Sequence, residues 1–186
     1  MSDVKIIECP RDAMQGIHEF IPTDKKVAYI QSLLDVDFDT IDVGSFVSPK
    51  AIPQLQDTAE VIRKLDLSDT KSELLVIIAN TKGAEIAVDF EEIKYLGFPF
   101  SISETFQRRN TNASIKEALD RIDNIKNISD KSGKELVVYL SMAFGNPYNE
   151  PWDIDVAAKW VEVLIERDIE IISLADTIGT STVESI

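Results

Sequence analysis

The stretch FDTIDVGSFVSPK, residues 38–50, is the part of the sequence that decides the fold. Its first six residues form a short β-rich run, and a loop of Gly, Ser and Pro follows at once. The same order, in which an apolar run leads into a polar loop and then a segment with helical spacing, recurs along the chain of 186 residues. Parallel β/α folds carry their functional side chains just past the carboxyl ends of the strands. The stretch therefore predicts a β-α unit whose chemistry lies in the loop.

Short apolar runs of this kind predict six strands, and segments with helical spacing lie between them. The runs are nearly continuous in apolar residues, which is typical of parallel strands covered on both faces. The alternation predicts an α/β fold with a parallel sheet and right-handed crossovers. The predicted strands are Val4–Cys9, Phe38–Val43, Leu74–Ala79, Lys94–Phe98, Leu136–Leu140 and Ile169–Leu174. The predicted helices are Asp24–Leu34, Gln54–Leu65, a helix from the capping box Ser114-x-x-Glu117 to Ser132-Gly133, and Asp155–Arg167 with Val156, Trp160 and Leu164 buried.

Two α/β architectures fit this pattern. The predicted strands begin about 33 residues apart, a normal length for one unit of a (β/α)8 barrel, but eight units need roughly 250 residues. A second capping box, Ser181-x-x-Glu184, predicts a helix from Thr182, one turn before the sequence reaches Ile186. We interpret this as a barrel truncated to six units. A six-stranded doubly wound sheet fits the periodicity equally well.

Charge and composition exclude several classes of protein. The 33 acidic and 19 basic residues give a net charge of −14, which disfavours nucleic acid and anionic membrane surfaces as partners. No apolar run is long enough for a transmembrane helix, and the N-terminus lacks the features of a signal peptide. The single cysteine, Cys9, has no internal disulfide partner, and we expect it to be a small buried hydrophobe. Together these observations predict a cytoplasmic protein.

Carboxylates recur where the predicted strands end, at Asp12, Asp42 and Asp176. An aspartate beside an arginine, as in Arg11-Asp12, suits a hard divalent cation next to an anionic substrate. Each carboxylate also has a simpler interpretation. Arg11 and Asp12 would then form a surface ion pair of little energetic consequence, and Asp176 would cap the next helix.

Several motifs carry a resemblance that extends over essentially the whole chain in one order. They are Glu8-Cys-Pro-Arg-Asp-Ala-Met-Gln15, Ile21-Pro-Thr23, Ser45-Phe-Val-Ser-Pro-Lys50, Asn80-x-Lys-Gly83, Ser103-Glu-x-Phe106, Gly145-x-Pro-Tyr148 and Ser173-Leu-x-Asp-Thr-Ile-Gly179. This set resembles 3-hydroxy-3-methylglutaryl-CoA (HMG-CoA) lyase, of the metal-dependent lyase and synthase superfamily. The resemblance implies a TIM (β/α)8 barrel, truncated here to about six β-α units. Residues 1–186 are then a single catalytic barrel domain, incomplete at its C-terminus.

The resemblance also implies roles for individual residues. Asp12 matches the metal ligand, and Arg11 matches the arginine that stabilises the enolate formed when the C–C bond breaks. Asp42 matches a catalytic carboxylate that is usually glutamate, so its reach is one methylene shorter. Ala13 stands where glycine is usual, and would be strained if the position needed a positive φ. The implied substrate-binding residues are Arg11, Gln15, Ser45, Asn80, Tyr139, Ser173 and Thr177.

The implied reaction is the cleavage of HMG-CoA to acetoacetate and acetyl-CoA with Mg²⁺ or Mn²⁺, in leucine degradation and ketone body metabolism. The implied partner is an acyl-CoA substrate. Because barrels often pair through surface helices, we also expect a homodimer. The family completes its metal shell with His-x-His and Asn beyond the sixth unit, and its catalytic cysteine also lies there. We therefore expect these 186 residues to be inactive by themselves.

Two other functions remain open. One is a synthase of the same superfamily that joins an acyl-CoA to a 2-oxoacid, although Ser45–Lys50 is typical of the lyases. The other is a degenerate barrel that binds an acyl-CoA or a partner chain without turnover, which Asp42 and Ala13 would favour. Consumption of a 2-oxoacid would identify the first, and stabilisation by ligand without product would identify the second.

Overall fold

The structure, a computed structural model, describes residues 4–186, which divide into two compact units. Unit 1 ends at Leu96, and unit 2 is Gly97–Ile186. All six predicted strands are present, with ends that differ from the prediction by at most three residues. They are β1 Ile7–Glu8, β2 Thr40–Ser45, β3 Glu73–Ile77, β4 Ile93–Ser101, β5 Glu135–Ser141 and β6 Ile171–Ala175.

The described residues form seven α-helices: the four that the sequence predicts, one of them with a break, and three more that it did not predict. They are α1 Pro10–Gln15, α2 Thr23–Leu34, α3 Thr58–Lys64, α4 Thr81–Ala87, α5 Glu104–Thr111, α6 Ile115–Ser132 and α7 Ile154–Ile165. The predicted helix Gln54–Leu65 is wrong in its first turn, where a 3₁₀ helix, Pro53–Leu55, precedes α3. The cause is visible at Gln54, whose backbone carbonyl accepts a hydrogen bond from the Lys26 ammonium instead of from a helical N–H.

Unit 1 is a parallel sheet covered by helices. β1 pairs with β2, and β2 with β3, in parallel. All six residues of β2 are buried, as expected for a strand covered on both faces. The unit's core takes side chains from helices and strands alike, among them Ile30, Leu34, Ile41, Val61, Ile62, Leu74 and Val76. This packing fixes where β2 ends.

Unit 2 has the same organisation around β5 and β6, which pair in parallel with Tyr139 opposite Ser173. The capping box of α6 is present, with Ser114 and Glu117 exchanging hydrogen bonds. Gly133 ends this helix with a φ of 69°, a conformation in which a Cβ would be strained. Ala118, Ile122 and Ile125 form the buried face of α6.

Three predictions about individual residues need correction or comment. Cys9 is exposed, because it lies between β1 and α1 instead of inside a strand. In α7 only Leu164 is fully buried, and Trp160 is half-buried with its ring centroid 5.6 Å from that of Phe100. Where a helix is predicted from Thr182, the structure has a hydrogen-bonded turn and no helix, with Ile186 N–H donating to the Thr182 carbonyl at 3.2 Å. Among residues 4–186, no helix combines the length and the apolar character that crossing a bilayer requires.

Candidate active site

The short helix α1 brings three of the predicted site residues together. Pro10 stands in its first turn, where a missing N–H costs nothing, and Asp12 lies near the positive end of the helix dipole. Arg11 and Gln15 are four residues apart and therefore share a face, and Arg11 Nη1 donates to Gln15 Oε1 at 2.7 Å. Ala13 sits inside the helix and has no positive φ, so alanine carries no backbone strain here.

Arg11 reaches from α1 to β2 and joins Asp42. Its Nε and Nη2 both approach Asp42 Oδ2, at 2.8 and 2.7 Å. Its Nη1 also donates to Asp12 Oδ1 at 3.1 Å. Four residues that the sequence places in two separate segments, Arg11, Asp12, Gln15 and Asp42, thus form one cluster around a guanidinium group.

Asp42 is the electrostatically unusual member of this cluster. Its side chain is 0% exposed, and Oδ1 is buried with no hydrogen-bond partner among the described residues. Burial raises the pKa of Asp42 from 3.8 to about 6, although the charge and the hydrogen bonds of Arg11 oppose that rise. Asp12 adds to the rise, while the Gly44 backbone N–H has the opposite effect.

The cluster is layered from buried to exposed. Asp42 lies innermost, the Arg11 side chain is 12% exposed, and that of Asp12 is 71% exposed. A ligand arriving from solvent would therefore meet Asp12 and Gln15 first, then Arg11. A carboxyl group whose pKa is near 6 changes its charge close to neutral pH, which suits proton transfer. A guanidinium fixed by three acceptors suits the stabilisation of a developing oxyanion.

Ser45 and Asn80 lie at the predicted strand ends of unit 1, but their side chains hold the loops. Ser45 is buried; its Oγ donates to the Ile77 carbonyl at 3.2 Å and accepts from Val47 N–H. Asn80 Oδ1 accepts from Gly83 N–H at 2.9 Å and so caps α4. Neither contact joins the Arg11 cluster.

Contacts between the backbone at the end of β2 and Thr58 of α3 also fix the position of that strand end. Ser45 N–H donates to Thr58 Oγ1 at 3.0 Å, which draws α3 against the strand. A Cβ at Gly44 would lie 2.4 Å from Thr58 Cγ2, so only glycine fits without movement.

Of the three predicted site residues of unit 2, Tyr139 and Ser173 lie within β5 and β6, and Thr177 lies just past the end of β6. Tyr139 and Ser173 are register partners on neighbouring strands, which places their side chains on one face. Thr177 follows β6, and its Oγ1 accepts from Met142 N–H at 2.8 Å. Met142 itself has a φ of 63°, so Thr177 helps to hold a backbone conformation that is rare for a methionine.

Asp176 and Cys9 have roles that the geometry makes plain. Asp176 accepts from the backbone N–H groups of Ser181 and Thr180 at 2.9 Å, and these bonds lower its pKa. It therefore closes a turn and caps no helix, since none follows within the described residues. Cys9 is exposed as a residue, but the surrounding atoms partly shield its thiol from water. This burial, together with the charge of Asp42, raises the pKa of Cys9 to about 11, so the residue is a poor nucleophile.

Comparison with known proteins gives this cluster its context. A family model described as HMGL-like matches residues 3–186. The chain belongs to the HMGL-like family. It is 33% identical over 185 residues to "3-hydroxy-3-methylglutaryl-CoA lyase, cytoplasmic" of Danio rerio, covering 98% of this chain and 54% of the relative. It is 34% identical to "Hydroxymethylglutaryl-CoA lyase, mitochondrial" of Bos taurus, covering 96% of this chain and 55% of that protein. The chain thus spans about half the length of the curated relatives that it matches.

Solved HMGL-like structures confirm the fold. The HMG-CoA lyase of Bacillus subtilis superposes with a TM-score of 0.89 at 33% identity, over 96% of this chain and 60% of that one. An HMG-CoA lyase from Acinetobacter baumannii in complex with coenzyme A and 3-methylmalate gives 0.88 at 30% identity, over 96% and 58%. The fold is the TIM (β/α)8 barrel of these lyases, represented here by six β-α units, and the doubly wound alternative is wrong.

The residues of this HMGL-like chain do not make a complete metal centre by themselves. Asp12 offers a hard oxygen ligand in an exposed position, and Asp42 Oδ1 is a buried oxygen without a partner. Within residues 4–186, however, no group of three or more His, Cys, Asp or Glu side chains lies close enough to hold a metal ion. A divalent cation at this place would need further ligands.

A second polar cluster in this HMGL-like chain was missed by sequence reasoning. Lys26, Gln54 and Asp57 form it, and Lys26 is among the largest fully buried side chains. A signal was present, since Lys26, Ile30 and Leu34 are spaced by four and share the buried face of α2. A lysine on that face indicates a buried carboxylate partner, but the sequence does not show which one.

Proposed function

We propose that the protein containing these residues is a carbon–carbon lyase that cleaves HMG-CoA to acetoacetate and acetyl-CoA. Support comes from the HMGL-like family and from relatives named as HMG-CoA lyases at 33–34% identity. The relative whose structure contains coenzyme A supports an acyl-CoA as the substrate class. Residues 1–186 would then be the greater part of a single catalytic barrel domain.

One observation carries the proposal, the Arg11 guanidinium fixed between buried Asp42 and exposed Asp12 and Gln15. Breaking the C2–C3 bond of a hydroxyacyl thioester leaves negative charge on the thioester oxygen. A cation already in place stabilises that charge without reorganising at the moment of reaction. We assign this role to Arg11, with Gln15 holding its Nη1.

We assign Asp42 a role in proton transfer from the substrate hydroxyl. Its raised pKa, about 6, and its unpartnered Oδ1 both favour a group that exchanges a proton or gains a partner during the reaction. Asp42 is buried behind Arg11, so this role needs the substrate to displace part of the Arg11–Asp42 contact. The roles of Ser45, Asn80, Tyr139, Ser173 and Thr177 in substrate binding remain predictions.

We propose Asp12 as a ligand of a divalent cation, Mg²⁺ or Mn²⁺, which would supply charge stabilisation to the oxygens of the bound substrate. Further ligands would come from outside residues 4–186. A homodimer and a cytoplasmic location complete the proposal; the names of the relatives include one cytoplasmic and several mitochondrial proteins.

The test is acetoacetate release from HMG-CoA by the full-length protein with Mg²⁺, compared with its Arg11→Gln variant. Removing a fixed positive donor from an oxyanion costs about 10²–10³-fold in kcat, and we expect a loss of that size. Arg63→Gln is the matched control, because Arg63 lies over the Phe90 ring at 5.0 Å and away from the cluster. Equal losses in both variants would contradict the role of Arg11.

Other outcomes separate the remaining functions. Consumption of a 2-oxoacid with acetyl-CoA would identify a synthase, and ligand-induced stabilisation without product would identify a binding protein. Residues 1–186 expressed alone should release no acetoacetate, since within residues 4–186 no group of three or more His, Cys, Asp or Glu side chains lies close enough to hold a metal ion. Magnesium-dependent cleavage by that polypeptide would overturn this expectation.

A further inference from the structure

The buried cluster of Lys26, Gln54 and Asp57 links α2 to the 3₁₀ helix and to the residue that precedes α3. Lys26 is 2% exposed, and its Nζ donates to the Gln54 carbonyl and, at 2.6 Å, to Asp57 Oδ1. The other carboxylate oxygen of Asp57 accepts from Thr23 Oγ1 at 2.8 Å. The Lys26 ammonium also lies 4.2 Å from the centre of the Phe20 ring. Lys26 thus holds the 3₁₀ helix and the start of α3 to α2.

Gln54 uses its side-chain amide entirely on one loop, residues 17–21. Its Nε2 donates to the carbonyls of Ile17 and Glu19, each at 2.9 Å. Its Oε1 accepts from the Ile21 N–H at 2.9 Å. A single buried side chain therefore fixes three alternate backbone groups, leaving the loop little freedom to change shape.

This loop is the continuation of α1. Ile17 N–H donates to the Met14 carbonyl at 3.0 Å, so the fixed backbone begins within the last turn of the helix. Met14 is buried, and α1 packs against the 3₁₀ helix that carries Gln54. Gln15, in the same turn, accepts from Arg11 Nη1. A continuous series of short contacts thus runs from Lys26 through Gln54 to the guanidinium.

The polar residue types of this cluster indicate that it positions the neighbouring backbone as well as stabilising the fold. Apolar side chains of similar volume fill a core as well as a buried ion pair does, and often better. A polar cluster specifies one arrangement, because any other leaves a buried charge or amide without a partner. Such specificity matters where a displacement of about 1 Å changes a reaction rate.

We propose that Gln54, held by Lys26 and Asp57, is a positioning residue that fixes the C-terminal end of α1 and with it the direction of the Arg11 guanidinium. The catalytic consequence rests on the proposed lyase function. The structural consequence does not, because the Arg11–Asp42 contact exists whatever the protein's substrate is.

The test compares Gln54→Leu with wild type in the full-length protein by ¹H–¹⁵N spectroscopy of the arginine Nε–H groups. Arg11 Nε–H donates to Asp42 at 2.8 Å, and Arg11→Lys identifies its signal by removing it. We expect the Arg11 signal to move and to exchange faster with solvent in Gln54→Leu. Ser129→Ala is the control, because it removes another buried hydrogen bond, from Ser129 Oγ to the Lys134 carbonyl before β5. We expect it to lower Tm and leave the Arg11 signal unchanged.

Kinetics gives a second, separable measurement. If the protein cleaves HMG-CoA, Gln54→Leu should lower kcat by about tenfold and change KM by less than threefold, while Ser129→Ala changes neither. If wild type does not cleave HMG-CoA, the proposed function fails and the spectroscopic result still decides the positioning role. An Arg11 signal that stays unchanged in folded Gln54→Leu would overturn the inference.

Gln54→Asn covers the case in which Gln54→Leu does not fold. Asparagine keeps a neutral amide but is one methylene shorter, so it cannot reach the carbonyls of Ile17 and Glu19 and the Ile21 N–H at once. We expect a displacement of the Arg11 signal in the same direction with a smaller loss of Tm. A wild-type signal in this variant would equally overturn the proposal.

Discussion

Unit 1 contains two buried aspartate–cation pairs, and they are satisfied to different degrees. Asp57 uses one oxygen for Lys26 and the other for Thr23. Asp42 receives both of its Arg11 contacts on Oδ2, and its Oδ1 has no partner among the described residues. The two pairs have similar chemistry and lie in one unit, and burial raises the pKa of Asp42 to about 6. The two pairs therefore differ in how many carboxylate oxygens have partners, and we propose that this difference separates a structural pair from a reactive one.

The physical reason is the cost of leaving a buried polar atom unpaired. A fully bonded ion pair has one favoured arrangement and resists change. A buried carboxylate with an unpaired oxygen is stabilised by any proton, cation or hydrogen-bond donor that reaches it. We therefore expect the Lys26–Asp57 pair to fix the local structure, and the proposed role of Asp42 in proton transfer uses its unpaired oxygen.

The largest expected loss of stability comes from breaking the Lys26–Asp57 pair. Lys26→Met in the full-length protein leaves the Asp57 charge buried beside Thr23 alone, and removing one partner of a buried pair costs about 3–5 kcal/mol. Lys64→Met is the control, because Lys64 bonds Asp24 and Glu60 at the surface, where ion pairs contribute little to stability. Urea unfolding of both variants measures the difference, and equal losses would contradict the comparison.

The second prediction uses the pH dependence of stability to test the Arg11–Asp42 pair. The pKa of Asp42 is raised in the folded state, so the native protein binds more protons than the unfolded chain between pH 4 and pH 6. Asp42 therefore lowers the stability of the wild type as pH rises through that interval. Asp42→Asn lacks this penalty, and its stability relative to wild type should rise by about 3 kcal/mol between pH 4 and pH 7. Denaturant unfolding with a chelator present measures this, and parallel pH profiles would show that the penalty is absent.

The smallest expected loss of stability comes from a variant that leaves one oxygen of Asp57 unpaired, as Oδ1 of Asp42 is. Thr23→Val removes the donor to Asp57 Oδ2 and leaves the Lys26 contact in place. An unsatisfied buried acceptor costs about 1–3 kcal/mol, so the loss should be clearly smaller than that of Lys26→Met. Thermal unfolding of the two single variants and the double variant tests whether both act on the same carboxylate. Strictly additive losses would indicate that they do not.

Much of the fold could be predicted because it depends on local patterns. The continuous apolar run at β3 and the capping box of α6 each act within a few residues, and both are present in the structure. The prediction failed where a distant side chain competes with the local pattern. The break before α3 exists because Lys26 takes the carbonyl of Gln54, and no local sequence rule includes a residue 28 positions away.

The candidate site divides in the same way. The motif around Arg11 and Asp12 and the carboxylate at Asp42 stand out in the sequence by residue type and strand-end position. Their contact, with both Arg11 bonds on one oxygen, is a matter of how α1 packs on β2. Ser45 and Asn80 lie at the predicted strand ends, but their hydroxyl and amide groups are occupied by loop backbone, which residue type does not reveal.

The sequence by itself determined the order of the six strands, the net charge of −14 and the motifs of the HMGL-like family. These follow from hydrophobic periodicity, net charge and residue identity, which are properties of the chain read in order. Only the tertiary structure decided that Asp42 has an unpaired buried oxygen, that Asp57 has none and that Gln54 fixes the loop after α1. Burial and hydrogen bonding depend on residues that meet across 28 to 37 positions of sequence, and packing alone brings those residues together.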